Sequence, residues 1–341
     1  MEDYSTMIGR QKTQLSLLDS AFYARKKHSR TDKLLTKINK FINWDRLETI
    51  CKGMYKDSKR GRPTIPIVIA LKCLILQFLY NLSDPELEDA LIDRVSFKRF
   101  LEISFDEDVP DFTTIWRFRE RLIKANLLDE IFNSFLKALD EKNVIIRKGT
   151  LIDATLVQAA RKPKKKHDKQ ENKTNKTARQ RAQQDHDATG TKKGKKQYYG
   201  YKGHIGVDQG SNIIRKTKFT TASVHDSKER DNLICGDERS VFADKAYFND
   251  NVKRTLRKKG IYNGILDKGK RNHPLTDKQK KKNKQKSRIR NAVERPFAHF
   301  KKHMGYRCVR YVNLRRNELH FTFLCLIHNI RRGIALTASA A

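Results

Sequence analysis

Residues 161–197, RKPKKKHDKQENKTNKTARQRAQQDHDATGTKKGKKQ, contain no Val, Ile, Leu, Met or aromatic residue and carry fourteen Lys/Arg against four Asp/Glu. A piece of that composition has nothing to bury and reads as a flexible basic loop. Strand-like sequence precedes it and follows it, so the surrounding fold has to accept a long insertion without losing its sheet. The loop's excess of about ten positive charges releases counterions along a DNA backbone, which gives sequence-independent, salt-sensitive affinity.

The whole chain shares this bias. Its 341 residues include 74 Lys+Arg and 39 Asp+Glu, a formal net charge of +35, which favours a polyanionic partner and puts nucleic acid first. The length predicts two folded domains, and a hydrophobic fraction of 38% is enough for real cores. The N-terminus, MEDYSTMIGRQKTQ, has no signal-like apolar stretch. The longest apolar run, IPIVIALKCLILQFLYNL at 65–82, is interrupted by Lys72 and Gln77, and so reads as a buried helix, with no membrane partner. The five cysteines (51, 73, 235, 308 and 325) are scattered, odd in number and without a Cys-x-x-Cys pair. They read as reduced thiols of a cytoplasmic protein, and no zinc site is indicated.

From about 10 to 140 the apolar positions recur at helical spacing, and a helical domain is expected over 1–142. Helix starts are marked by Pro63 and Pro66, by Ser83-Asp84-Pro85-Glu86 and by Asp111-Phe112-Thr113-Thr114. Two pieces, LSDPELEDALIDRVSFKRFLEIS and PDFTTIWRFRERLIKANLLDEIFNSFLKAL, read as short helices joined by tight turns, as in helix-turn-helix DNA readers. Arg117, Arg119 and Arg121 lie just after a helix N-terminus there, either to reach DNA or to form an ordinary solvated Arg/Glu face.

Residues 143–341 read differently. NVIIRKGTLI leads as a strand into LIDATLVQAA, with Asp153 at its centre. QYYGYKGHIGVD (197–208) and SNIIRKTKFTTASVHD (211–226) form a hairpin across Asp208-Gln209-Gly210. SKERDNLI (227–234) reads as a helix, SVFADKAYFND (240–250) as a buried strand ending at Asp244, NVKRTLRKKG (251–260) as a helix stopped by Gly260, and IYNGILDKG (261–269) as a strand. A basic stretch, 268–290, leads into IRNAVERPFAHFKKHMG, and NELHFTFLCLIHNI (317–330) reads as an apolar helix packed on the sheet. The fold class is α+β, a helical DNA-binding domain followed by a mixed-sheet catalytic domain. The element order matches the ribonuclease-H-like arrangement, with carboxylates from separate elements at Asp153, Asp244 and Glu294. Three hard oxygen ligands suit Mg²⁺ and phosphoryl transfer. Taken singly, each has a duller use: Asp153 closing a strand, Asp244 capping a helix, Glu294 pairing with Arg290 or Arg295.

The pieces LIDATLVQAA, YYGYKGHIGVD, TTASVHDS, VFADKAY, AVERPFAHFKKHMGYRCVRY and LCLIHNIRR resemble the DDE transposases of bacterial insertion sequences, in particular the group named for insertion sequence five, over nearly the whole chain. The resemblance implies a ribonuclease-H-like catalytic domain with Asp153, Asp244 and Glu294 as catalytic and metal-binding triad, and two Mg²⁺ ions, with Mn²⁺ as substitute. It also implies double-stranded transposon ends and target DNA as partners, and a homodimer on DNA. The wider group's signature, Tyr-x2-Arg-x3-Glu-x6-Lys, has Arg290, Glu294 and Lys301 here, with Ser287 in place of the tyrosine. On one continuous helix turning ~100° per residue, Arg290, Glu294 and Lys301 would share a face towards DNA, whereas Pro296, disfavoured inside a helix, places Glu294 at a kink or near a helix start. Lys245, beside Asp244, joins the DNA-binding candidates. His225-Asp226 matches the family pattern and serves either beside the metal site or in the turn. His299 and His303, with zinc-like spacing but no second cluster, read as exposed or DNA-facing. Two rivals remain: a non-catalytic DNA-binding protein derived from such an enzyme, and a basic RNA-associated protein.

Overall fold

The computed structural model describes residues 28–55, 64–105, 107–161, 184–248, 250–269 and 273–340, and most of the basic insertion expected at 161–197 lies outside them. The chain divides into two compact units, one of residues 1–142 with 333–341, the other of 143–332. The expected domain boundary at 142/143 is thus joined by a second near the C-terminus.

The first unit is helical: α1 (Arg30–Phe41), α2 (Trp44–Lys52), α3 (Ile67–Leu79), α4 (Asp84–Asp93), α5 (Val95–Leu101), α6 (Phe112–Ala125) and α7 (Leu128–Glu141). Ser29 and Ser83 start α1 and α4 through reciprocal capping boxes with Asp32 and Glu86, and Asp111 starts α6 by accepting the Thr114 N–H at 2.7 Å. Helix α3 is buried over nearly its whole length, including Lys72 and Gln77. Lys72 is satisfied by Glu102 at 3.2 Å and by the Trp44 ring, whose centroid lies 5.2 Å from its Nζ. Among the described residues no single helix is long and apolar enough to cross a membrane.

The second unit is built on a six-stranded mixed sheet: β1 (Thr150–Gln158), β2 (Thr189–Lys193), β3 (Lys196–Asp208), β4 (Ile214–Thr221), β5 (Ser240–Phe242) and β6 (Tyr262–Asn263). The order is β2-β3-β1-β5-β6, with β4 also paired to β3. Strands β1 to β4 pair antiparallel, whereas β5 runs parallel to β1 and β6 parallel to β5. Three expectations change here. Residues 184–197 are not loop throughout, because 189–193 form β2 against β3, where backbone pairing replaces the missing apolar side chains. Residues 227–234 are not one helix but a single turn, Asp226–Glu229, followed by a 3₁₀ turn, Asp231–Leu233. The strand expected to end at Asp244 stops at Phe242 as β5, with Asp244 capping a 3₁₀ turn, Lys245–Tyr247, and the strand expected at 261–269 is only β6.

Helices α8 (Asp250–Lys258), α9 (Asp277–Arg290), α10 (Glu294–His303) and α11 (Leu314–Ala340) complete the chain, and residues 314–332 of α11 belong to this unit. Glycines in β3 admit neighbours from both faces. A Cβ on Gly203 would lie 2.4 Å from the Phe321 ring of α11, and one on Gly206 would lie 2.5 Å from the Leu233 carbonyl. One face buries Ile152, Val241, Tyr247, Val252 and Leu256. On the other, Phe219, Phe300 and Tyr306 meet the Phe321 ring. Asn329 of α11, fully buried, accepts the Ile214 N–H at 2.8 Å and donates to the Ile214 carbonyl at 2.7 Å.

Candidate active site

Asp153 lies midway along β1, where the strand runs between β3 and β5. Leu151 of β1 is in register with Phe242 of the parallel strand β5, so two residues further along each chain bring Asp153 and Asp244 to neighbouring positions. Adjacent strands lie about 4.8 Å apart, and equal offsets from a register pair point the two side chains the same way. Asp153 Oδ1 accepts the Ala154 N–H at 2.9 Å, and its Oδ2 faces Arg290 Nη1 at 3.0 Å. Asp244 accepts the N–H of Lys245 at 2.7 Å, so it also serves as the cap foreseen as its duller use.

Glu294 comes from a different direction. Helix α9, DKQKKKNKQKSRIR, has no apolar stripe and is held by polar contacts: Lys286 Nζ donates to the Ile265 carbonyl at 2.8 Å, while Asn283 exchanges two hydrogen bonds with the Asp267 backbone. A 3₁₀ turn, Asn291–Val293, then breaks the path before α10 begins at Glu294. Pro296 falls at the third position of α10, where no intrahelical donor is lost. Arg290, Glu294 and Lys301 therefore do not share one continuous helix. Arg290 also does not point freely towards solvent: its Nη2 lies 3.6 Å from Glu294 Oε1, and its side chain is 15% exposed. It links the first carboxylate to the third.

The electrostatics follow from this crowding. Burial raises the proton affinity of the Asp153 carboxyl, the Ala154 N–H and Arg290 lower it, and the negative charges of Asp244 and Glu294 raise it again. Asp244 and Glu294 thus both act on Asp153. Tyr247, which the sequence reading missed, is buried next to them, and among the described residues its hydroxyl has no hydrogen-bond partner. Burial pushes its ionisation up, followed by the charges of Asp226, Asp153 and Asp244. The available signal was an aromatic side chain three residues after Asp244 in an otherwise polar DKAYFND.

These residues fit a hard divalent cation. They supply oxygen donors, their mutual repulsion is only partly offset by one guanidinium, and an orphaned buried hydroxyl stands beside them. Among the described residues, the metal-type ligand set whose atoms all fall within 4.8 Å of one another is Cys235, Asp237 and Glu238, so the three carboxylates are spread more openly. That tighter set is already engaged. Asp237 pairs with Arg215 at 2.7 Å and Arg147 at 2.9 Å, and Glu238 accepts the N–H groups of Cys235 and Gly236.

The other predicted residues divide. Arg117 is exposed on α6, and Arg121 is exposed with its guanidinium 5.0 Å from the Tyr55 ring centroid. Arg119 is a correction: it is 1% exposed and grips Asp84 at 2.8 and 2.9 Å and Gln77 at 3.3 Å, so it cannot reach DNA. Lys245 is exposed next to Asp244 and Lys301 is half-buried on α10. Asp226 pairs with Lys202 at 2.9 Å, and His225 caps the turn after it by accepting the Ser227 N–H. His299 is half-buried rather than exposed, its ring 5.4 Å from His303 and 5.5 Å from the buried His328.

A family model described as "Transposase DDE domain" matches residues 146–330, more than half of the chain and all six strands. The chain belongs to the transposase DDE domain family. A second model, "Transposase domain (DUF772)", matches residues 22–121 in the helical unit. A cryo-EM structure of the piggyBac transposase synaptic complex with hairpin DNA is similar at 11% identity and a TM-score of 0.45, over 91% of this chain and 74% of that one.

Proposed function

We propose that this transposase nicks phosphodiesters at transposon ends and joins the resulting 3′-hydroxyls to target DNA, with Asp153, Asp244 and Glu294 as its catalytic carboxylates on a ribonuclease-H-like unit. The observation that supports the reading is that Asp153 on β1 and Asp244, two residues past the end of the neighbouring parallel strand β5, are close enough to act on one another's charge, with Arg290 tying Asp153 to Glu294. Divalent cations held by these three carboxylates, a pair of Mg²⁺ or Mn²⁺ ions, supply Lewis acidity for the displacement at phosphorus. The chain's own residues do the rest. Asp153 is fixed by the Ala154 N–H and Asp244 by the Lys245 N–H, so both present their second oxygens from a rigid backbone. Exposed Lys245 lies where a phosphate beside the site meets a positive charge, and Arg117 and Arg121 supply further cations on the helical unit, the proposed DNA-binding domain. Synapsis of two ends calls for a homodimer on double-stranded DNA.

A second reading, a DNA-binding protein without catalysis, draws on the same Arg290 contacts, which already neutralise part of the site. Cleavage of a supercoiled plasmid carrying the element's ends decides between them. Asp153→Asn and Asp244→Asn are expected to lose Mg²⁺-dependent nicking and keep DNA affinity. Nicking unchanged in either variant sinks the assignment, and a parent protein that binds DNA ends but never nicks them supports the second reading.

A further inference from the structure

We propose that the outward face of α9, carrying Lys281, Lys284 and Arg288, is a docking surface for the phosphate backbone of target DNA. The proposal rests on the reading of the protein as a transposase that joins ends to a target, but uses none of its carboxylates. Helix α9 has two sides with different tasks. Asn283 and Lys286 fasten one side to the segment after β6. Asn283 exchanges two hydrogen bonds with the Asp267 backbone, while Lys286 Nζ donates to the Ile265 carbonyl at 2.8 Å and lies 3.4 Å from the Asp267 carboxylate. At ~100° per residue, Lys281, Lys284 and Arg288 fall within about 60° of one another on the opposite side, and all three are exposed.

The fold itself makes no use of that stripe. Among the described residues the ion pairs of α9 are those of Lys280, Lys286 and Arg290, and none of the three outward cations meets a carboxylate. Their spacings of three and four residues set like charges together, which destabilises a helix. The helix persists because Thr276 starts it with a capping box and Asp267 anchors its inner side. The structure also brings a second basic element to this place. Lys253 Nζ of α8 lies 3.7 Å from the same Asp267 carboxylate, so two basic helices meet at one acid. Lys253 is 57% exposed, and Arg257, one turn further along α8, is exposed on the same flank.

Charge and position select the partner. Duplex DNA carries one negative charge per ~1.7 Å of its axis, so the ~10 Å from Lys281 to Arg288 faces about six phosphates. Arg290 ends α9 on its fastened side and reaches Asp153 at 3.0 Å, whereas the stripe faces away across a helix ~10 Å thick. DNA lying on the stripe is therefore a different stretch from the strand at the carboxylates. Lys and Arg set against phosphates fix position without reading sequence. Transposon ends have to be told apart from all other DNA, which such contacts cannot do, so the stripe suits the other partner, the target duplex.

The test uses the full chain carrying Lys281→Gln, Lys284→Gln and Arg288→Gln together. Its urea midpoint should be no lower than the parent's, since the change removes repulsion and touches no contact within the fold. Binding to a duplex without the element's ends should weaken roughly tenfold or more at low salt, and the plot of log K against log salt should be shallower by roughly 2 to 3, about 0.9 for each lost cation. Joining of an end duplex with a free 3′-hydroxyl to a plasmid without ends should fall with it. Affinity for the end duplex and nicking of a plasmid bearing the ends should be unchanged. The three single substitutions, each expected to reduce the slope by about 0.9, repeat the test with less change to the helix. An unchanged slope with unchanged joining overturns the inference alone, and so does an equal loss of affinity for end and non-end duplexes. A parent that neither nicks nor joins overturns the proposed function with it.

Discussion

Arg290 Nη1 lies 3.0 Å from Asp153 Oδ2, a contact between groups 137 residues apart in sequence, with both side chains mostly buried. The guanidinium also reaches Glu294, so one fixed cation compensates two carboxylates and limits the repulsion that Asp244 adds. A divalent cation held by these carboxylates would perform the same electrostatic task and so would compete with Arg290 for the same negative charge.

Arg290→Met is therefore expected to lower stability by about 1–3 kcal/mol in the absence of divalent ions, since it strips a partly buried carboxylate of its partner. Millimolar Mg²⁺ or Mn²⁺ should recover more of the urea midpoint in the variant than it adds to the parent. Equal responses in the two proteins would show that the guanidinium and the cation do not share a place.

Arg119 gives a stability prediction where the sequence suggested a DNA contact. Arg119→Ala leaves Asp84 and Gln77 without their common donor in the core of the helical unit and should cost about 3–5 kcal/mol. Arg119→Lys should recover little, because a point charge cannot bridge both carboxylate oxygens and the amide. Exposed Arg117→Ala, in contrast, should stay within about 0.5 kcal/mol of the parent in chemical denaturation and reduce the salt dependence of DNA binding.

Three imidazoles set an acid limit. Burial holds His204, His299 and His328 at about 4, below their ordinary 6.5. The unfolded chain therefore binds up to three more protons than the folded one between these values. Their contribution is full above pH 6.5 and is lost as the pH falls towards 4. Urea midpoints measured from pH 7 to pH 4 should fall, and His204→Gln should flatten the decline by about one proton relative to the parent. A parallel decline in parent and variant would place the acid sensitivity elsewhere.

The candidate site was legible where its sequence context is local. Asp153 and Asp244 each stand in short contexts whose pattern can be read from a few residues, Asp153 on β1 and Asp244 just past the end of its parallel neighbour β5. Arg119 was misread because alternating Arg and Glu conceal a helical stripe. Ile115, Phe118, Arg119 and Leu122 are the buried positions of α6, and spacings of three and four place the arginine on the apolar face. Pro296 marked Glu294 as standing at a kink or helix start, which is where it lies, but the contacts that set the turn were out of reach. A 3₁₀ turn between α9 and α10 depends on Lys286 and Asn283 meeting Asp267, contacts that no local periodicity encodes. Strand β2 escaped for the same kind of reason, being stabilised by the ladder it joins and not by its own side chains.

Asn329 stands where a further strand would pair, since its amide meets both backbone groups of Ile214 on β4. At Ile214 that edge is met by a side chain from a helix made more than a hundred residues later. During synthesis the strand thus emerges as an unpaired template, open to a neighbouring nascent chain, until α11 arrives. A transcript truncated before Leu314 would leave that template open for good, so incomplete copies of the protein should be removed by aggregation instead of persisting as DNA-bound fragments.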